Sequence, residues 1–157
     1  MEKNDPNLKL IVLVIIIFGL LIAAFQVGKH TAKPVQVDNN KQPSDIIKPV
    51  DNNKLPDKLP GDIPIEKDAK ILNNYNATEA DGRFNATREF ESSQSIDQTF
   101  ALYNKYLKDA GWTIKASVDQ PTTKMVMGQK GSQQLMIQMG INPTTKVNDV
   151  TISLTEF

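Results

Sequence analysis

The side chains of this sequence that could do chemistry are carboxylates, and they come in clusters. Glu89 and Glu91 stand two residues apart, which on an extended strand puts both on one face. Such a pair could hold Ca²⁺ or act as acid and base in a hydrolysis. Glu79 and Asp81 make a second pair beside Gly82, and Asp62, Glu66 and Asp68 make a third cluster. The solvated face of an amphipathic strand or turn looks the same, and spacing alone specifies no ligand. Other chemistry is thin. The chain has no cysteine, and its single histidine is His30. That excludes Ser-His-Asp and Cys-His nucleophiles and Cys/His metal sites. No S-x-x-K stands at a helix start in the C-terminal part, and the eight glycines are too scattered for a phosphate loop. The residues therefore predict no catalytic, metal or cofactor-binding site, and no cofactor.

The elements that would position these groups lie in residues 60–157, long enough for one domain with a modest core. Residues 69–76 and 84–91 read as strands around Asp81-Gly82, a strong hairpin signal. In the second strand Phe84, Ala86 and Phe90 share a face, and Asn85, Thr87, Glu89 and Glu91 share the other. A helix follows. Ser95 caps it with Gln98 completing a capping box, and Gly111 ends it. Ile96, Phe100, Tyr103, Leu107 and Ala110 form its apolar stripe, leaving Thr99, Asn104, Lys105 and Lys108 to water. Trp112, Ile114, Ala116 and Val118 alternate along the next run, with two or three more strands up to Val150, Ile152 and Leu154. The expected fold class is α+β, an antiparallel sheet with one helix packed on one face, in β-β-α-β-β-β-β order. Its opposite face should be polar and open, carrying Lys115, Ser117, Lys124, Met136, Gln138, Thr151 and Ser153.

Ahead of the domain, residues 10–27 (LIVLVIIIFGLLIAAFQV) contain no charge. Eighteen helical residues nearly span a hydrocarbon core about 30 Å thick. This segment is expected to be a retained transmembrane helix behind a short cytoplasmic tail, 1–9. A cleaved signal peptide would be shorter and end in small residues two apart, which Ala23-Ala24-Phe25-Gln26 does not offer. No Glu follows Gly19 as a pilin helix would require, and without cysteine there is no lipobox. Lys3 and Lys9 precede the span, and Lys29, Lys33 and Lys41 follow it, so a literal count of positive charge leans toward a cytoplasmic C-terminus. The short tail and long spacer favour the reverse, with the C-terminal domain outside the cytoplasm.

Residues 28–59 read as a disordered linker, punctuated by Pro34, Pro43, Pro49 and Pro56 and holding six Lys against four Asp. It contains a degenerate repeat. Lys33-Pro34-Val35, then Asp38-Asn39-Asn40-Lys41 and Pro43, returns as Lys48-Pro49-Val50-Asp51-Asn52-Asn53-Lys54 and Pro56. As polyproline II it would reach about 95 Å, and as a flexible coil about 30 Å.

Pro60-Gly61-Asp62-Ile63-Pro64, then Ala69-Lys70-Ile71, then Phe100, Tyr103 and Leu107, then Gly111-Trp112, form a P-x-D-x-P … A-x-[VI] … F-x-x-Y-x-x-x-L … G-W pattern. It resembles that of small membrane-tethered or lipoprotein-like bacterial α+β domains of unknown function. The resemblance spans most of residues 60–157 and departs where Asp68 stands in place of a Gly. It implies fold and location, and no chemistry.

Nucleic acid is an improbable partner, since residues 60–157 carry ten Lys/Arg against twelve Asp/Glu with no basic run. Two sequons, Asn76-Ala77-Thr78 and Asn85-Ala86-Thr87, could carry glycans. The reading is a membrane-anchored binding, scaffolding or accessory module without catalytic activity. Its partners would be the bilayer through residues 10–27 and an envelope protein or polymer. The rival is an envelope-acting hydrolase or transferase using carboxylates only. A polar cleft joining Glu89 or Glu91 to a second acidic cluster would favour that rival.

Overall fold

The computed structural model describes residues 46–157. Segments 1–9 and 10–27, His30 and the upstream copy of the repeat lie outside the described residues. Among the described residues no helix is long and apolar enough to cross a membrane.

Seven strands form one antiparallel sheet: β1 (Ile46–Pro49), β2 (Lys70–Thr78), β3 (Phe84–Ser92), β4 (Thr113–Asp119), β5 (Thr123–Lys130), β6 (Gln133–Ile141) and β7 (Asn148–Glu156). One helix, α1 (Ile96–Asp109), lies between β3 and β4. The order across the sheet is β1-β2-β3-β7-β6-β5-β4. So α1 carries the chain from the middle of the sheet to its far edge, and successive hairpins walk back to β3.

The α+β expectation is corrected on two counts. The domain is dominated by its sheet, with α1 as the single helix among the described residues, and its order is β-β-β-α-β-β-β-β. The extra strand is β1, which comes from the stretch read as disordered linker and pairs with β2 from Ile46↔Thr78 to Pro49↔Tyr75. Proline signalled a tether because it cannot donate to a ladder. An edge strand tolerates that loss, and β1 is the edge.

Helix α1 forms for local reasons. Ser95 Oγ accepts from Gln98 N at 3.2 Å, and Gln98 Oε1 accepts from Ser95 N at 3.1 Å. At the other end Gly111 takes φ +76°, Trp112 N donates to Leu107 O at 2.8 Å and Gly111 N to Lys108 O at 3.1 Å. This is a Schellman ending, which needs a residue at positive φ. The helix packs on β4, β5 and β6. Tyr103 and Leu107 meet Val126, Leu135, Ile137, Ile152 and their neighbours in one closed core. Thr99, expected in water, is buried.

Strand parity departs from simple alternation at β4. The register slips between Ile114 and Ala116, so a bulge turns Ala116 and Val118 away from the face that Ile114 occupies. Ser117 then pairs with Val126, and Asp119 with Lys124, on the helix side. Lys124, expected on the open face, is therefore buried. Its ammonium meets Asp119 and, at 2.9 Å, Asp97 in the first turn of α1, and lies 5.3 Å from the Phe100 ring centre. The hydrogen bond to Asp119, then that to Asp97, raises its pKa. Met125 and Met127 lie on the opposite face, beside Met136, Gln138, Thr151 and Ser153.

Gly128 marks where the helix end and sheet come closest. A Cβ there would meet Trp112 Cβ at 2.9 Å and Leu107 Cδ2 at 3.3 Å. Gly128→Ala should lower stability by about 1–3 kcal/mol through overpacking. Urea denaturation followed by Trp112 fluorescence measures it, and an unchanged midpoint would refute the close approach.

Candidate functional site

The described chain before β2 crosses the sheet as a series of tight turns. Leu59 N donates to Pro56 O at 3.3 Å, Ile63 N to Pro60 O at 3.1 Å and Ala69 N to Glu66 O at 3.1 Å. Pro56 and Pro60 open the first two of these turns with φ already fixed. Leu59 and Ile63 enter the core. Two tyrosines of α1 tie the segment down: Tyr103 Oη donates to Pro64 O at 2.6 Å and Tyr106 Oη to Asp62 Oδ1 at 3.0 Å. Burial first, then the charge of Glu66 for Tyr103 and the hydrogen bond to Asp62 for Tyr106, push both phenols far up, so they stay donors.

Glu66 closes the crossing against the junction of β3 and α1. Its carboxylate accepts from Ser92 Oγ, from Ser93 N at 2.9 Å and from Ser93 Oγ at 2.6 Å. Partial burial works against its charge, but the hydrogen bonds from Ser92, Ser93 and the Gln94 backbone outweigh that and lower its pKa. Beneath it lies a buried polar relay. Ser92 Oγ and Thr99 Oγ1 are 3.4 Å apart, and Asn148 Nδ2 donates to Thr99 Oγ1 at 3.0 Å. Asn148 Oδ1 is buried without a hydrogen-bond partner.

Two cavities meet at this junction. An open cleft of about 480 Å³ is lined by the charged residues Glu66, Lys67, Asp68, Lys70 and Glu91 with Gln94, among others. A smaller pocket of about 190 Å³ lies between the crossing segment and α1, with Ile65, Phe90, Leu102 and Tyr103 on its walls. Glu66 and Gln94 line both. The outer cleft falls in the usual size range for small-molecule sites and the inner one below it. Between α1 and the sheet the packing is closed, with Phe90, Leu107, Val126 and Ile137 at most 1% exposed. Room for a ligand therefore lies at the N-terminal end of α1.

The carboxylates singled out by spacing are dispersed or engaged. Glu79 and Asp81 pair with Arg83 in the β2–β3 turn. Glu89 accepts from Asn73, and Glu91 pairs with Lys70 at 2.8 Å. Only Glu91, Glu66 and Asp68 come together, in the outer cleft. Among the described residues no three such side chains converge on a metal position. Neither sequon presents a free amide. Asn76 is buried, donates to Asp57 Oδ2 at 2.7 Å and accepts from Asp57 N at 3.0 Å, while Asn85 bonds Glu79 and Thr155. Ser92, Thr99, Gln94 and Asn148 were missed, because nothing local joins residues from three separate elements. The one legible hint was Thr99, a polar residue three positions before Leu102 and four before Tyr103.

A START domain-like family model matches residues 72–147, from within β2 to the loop before β7. That match supports a binding role for the domain. No curated protein and no solved structure matches the chain.

The Glu66 clasp carries a pH signature. Its folded pKa lies below the ordinary glutamate value of 4.5, so its stabilisation is complete above that value and is lost as pH falls through the folded value. Glu66→Gln should lower the urea midpoint at neutral pH, and the gap to the unsubstituted protein should close as pH is taken below 4.5. A gap that persists at low pH would mean that the charge of Glu66 contributes nothing.

Proposed function

We propose that this chain is a membrane-anchored binding module with no catalytic activity of its own, its domain held outside the cytoplasm by residues 10–27. The ligand is a small polar molecule carrying a short apolar group, such as the headgroup end of a lipid. One observation carries this reading: an open cleft rimmed by charged residues and a smaller pocket walled by Ile65, Phe90, Leu102 and Tyr103 share Glu66 and Gln94 at the head of α1. The START domain-like match supports it. The apolar run 10–27 supports the anchor, because a helix of that length satisfies its own backbone in lipid. An envelope protein or polymer is the partner class that such a location would supply.

The carboxylate enzyme has one observation in its favour, since the cleft does bring Glu91 beside Glu66 and Asp68. The state of Glu66 weighs against it. A general acid working near neutrality needs a raised pKa, and here donors from Ser92, Ser93 and Gln94 lower it. Lys70 also occupies Glu91.

Dihexanoylphosphatidylcholine, kept below its micelle concentration, is the first probe. Titration should give saturable amide shifts at Ile65, Gln94 and Leu102, and Leu102→Trp should weaken binding at least tenfold by filling the inner pocket. Shifts that never saturate, or an affinity indifferent to Leu102→Trp, would overturn the site. Protease added to intact cells, with any outer membrane permeabilised, should digest the domain and leave a protected anchor fragment. Digestion only after lysis would put the domain in the cytoplasm.

A further inference from the structure

The face of the sheet turned away from α1 gathers sulfur. Met127 of β5 stands directly opposite Met136 of β6, and Met125 lies two residues along β5, opposite Gln138. Directly paired Cβ atoms on a sheet are about 4.5–5.5 Å apart and diagonal ones about 7–8 Å. Each sulfur sits two bonds beyond its Cβ on a stem with three rotatable bonds, which is enough reach for all three to meet one ion. Met125 and Met136 are 8% and 7% exposed, and Met127 is half-buried. On β7 Ser153 borders Met136, and on β4 Ala116 and Val118 border Met127 and Met125. None of these residues lines either cavity.

Apolarity does not account for the choice of side chain here. The branched apolar residues of β5, β6 and β7, from Val126 to Leu154, all belong to the core beneath α1. On the other face the same strands carry mostly Thr, Ser and Gln, and their only large apolar side chains are these methionines. Valine or isoleucine would suit a pleated surface better, since β-branched residues are the stronger strand formers. What methionine adds is a polarizable sulfur with lone pairs. Thioethers bind soft monovalent cations, whereas Zn²⁺, Ca²⁺ and Mg²⁺ take nitrogen, thiolate or oxygen. We propose that Met125, Met127 and Met136 form a three-sulfur binding site for Cu(I), which Ag(I) fills equally well as a soft ion of the same charge. The ligand set is neutral, so it suits a single positive charge and leaves a dication uncompensated. It also carries no proton for the metal to displace, unlike a thiol, an imidazolium or a carboxylic acid, so acid does not weaken it. Met127, beside the small Ala116, is the most exposed of the three and the point of entry.

Titration of the full chain with Ag⁺, read from the methionine methyl signals by NMR, tests the site. The methyls of Met125, Met127 and Met136 should shift together and saturate at one equivalent. Met139, 1% exposed in the core, should stay in place as an internal control. Cu(I) held reduced with ascorbate should move the same three signals, and Zn²⁺ should move none. Met127→Leu and Met136→Leu keep the side-chain volume, so each should weaken Ag⁺ binding about tenfold or more with little change in the urea midpoint. The affinity should hold between about pH 7 and pH 5. Shifts that never saturate, a Zn²⁺ response, an affinity indifferent to both leucine variants, or one that falls with pH would each overturn the site. Should either variant fail to fold, Met125→Leu decides, and full Ag⁺ affinity in it would overturn the three-sulfur set.

Discussion

A seven-stranded sheet is too wide for one helix to cover, and most of this structure answers that constraint. At about 4.8 Å between strands the sheet is about 29 Å across, whereas a helix with its side chains is about 10–12 Å wide. Helix α1 lies over β4, β5 and β6. The apolar surface of β2, β3 and β7 needs a second cover, and among the described residues the stretch before β2 supplies it. Pro56, Leu59 and Ile63 are its buried contacts. The cleft lies where these two covers meet, lined from one side by the crossing segment and from the other by the head of α1. Neither cover alone would make it.

The polar groups under the second cover show why this stretch holds one path. Arg88 is buried and lies over no carboxylate in its hydrogen bonds, and burial lowers its pKa. A guanidinium stays charged even so, and its donors must be met inside the domain. The carbonyls of Asn52 and Lys54 meet two of them, while Arg88 Nε and Asn74 Oδ1 have no partner. Removing the covering turn would expose apolar surface and strand a charge together, a change on the order of several kcal/mol. Apolar contacts tolerate sliding, but hydrogen bonds of this kind do not. The polar cluster selects the register that the hydrophobic cover alone would leave loose.

What the sequence made legible follows the same division. Helix α1 was readable because its determinants are local: a capping box, a stripe at helical spacing and Gly111. The β2–β3 hairpin was readable from Asp81-Gly82 for the same reason. Strand β1 was not, since four residues with a terminal proline resemble a tether until their partner β2, beyond twenty intervening residues, is known. The β4 bulge was equally silent, and with it Lys124 came to lie on the face opposite the one assigned to it. Of the candidate site, Glu66 and Glu91 were named from spacing, but the seryl donors and Gln94 that define the charge and shape around them were not. Burial of Arg88 had a trace: it falls between Ala86 and Phe90 on the face assigned to the core.

Composition misled at the linker for an instructive reason. Lys, Asn, Asp and Pro predict a chain that cannot bury enough surface to fold alone, and residues 50–59 are held by contacts from elsewhere in the domain. They are ordered by surfaces that lie later in the sequence: the amides and guanidinium of β2 and β3, and the apolar floor beneath Leu59. A segment of this kind gives its backbone rather than its side chains to the contact. Asp and Asn are then assets, since they form compact turns that present several carbonyls on one side. Pro56 lowers the entropy lost on docking because its φ is fixed beforehand. The same composition that argues for a solvated spacer thus also describes a good ligand for a buried donor pair. What separates the two is whether such donors exist elsewhere in the chain, and here they are Asn74 and Arg88.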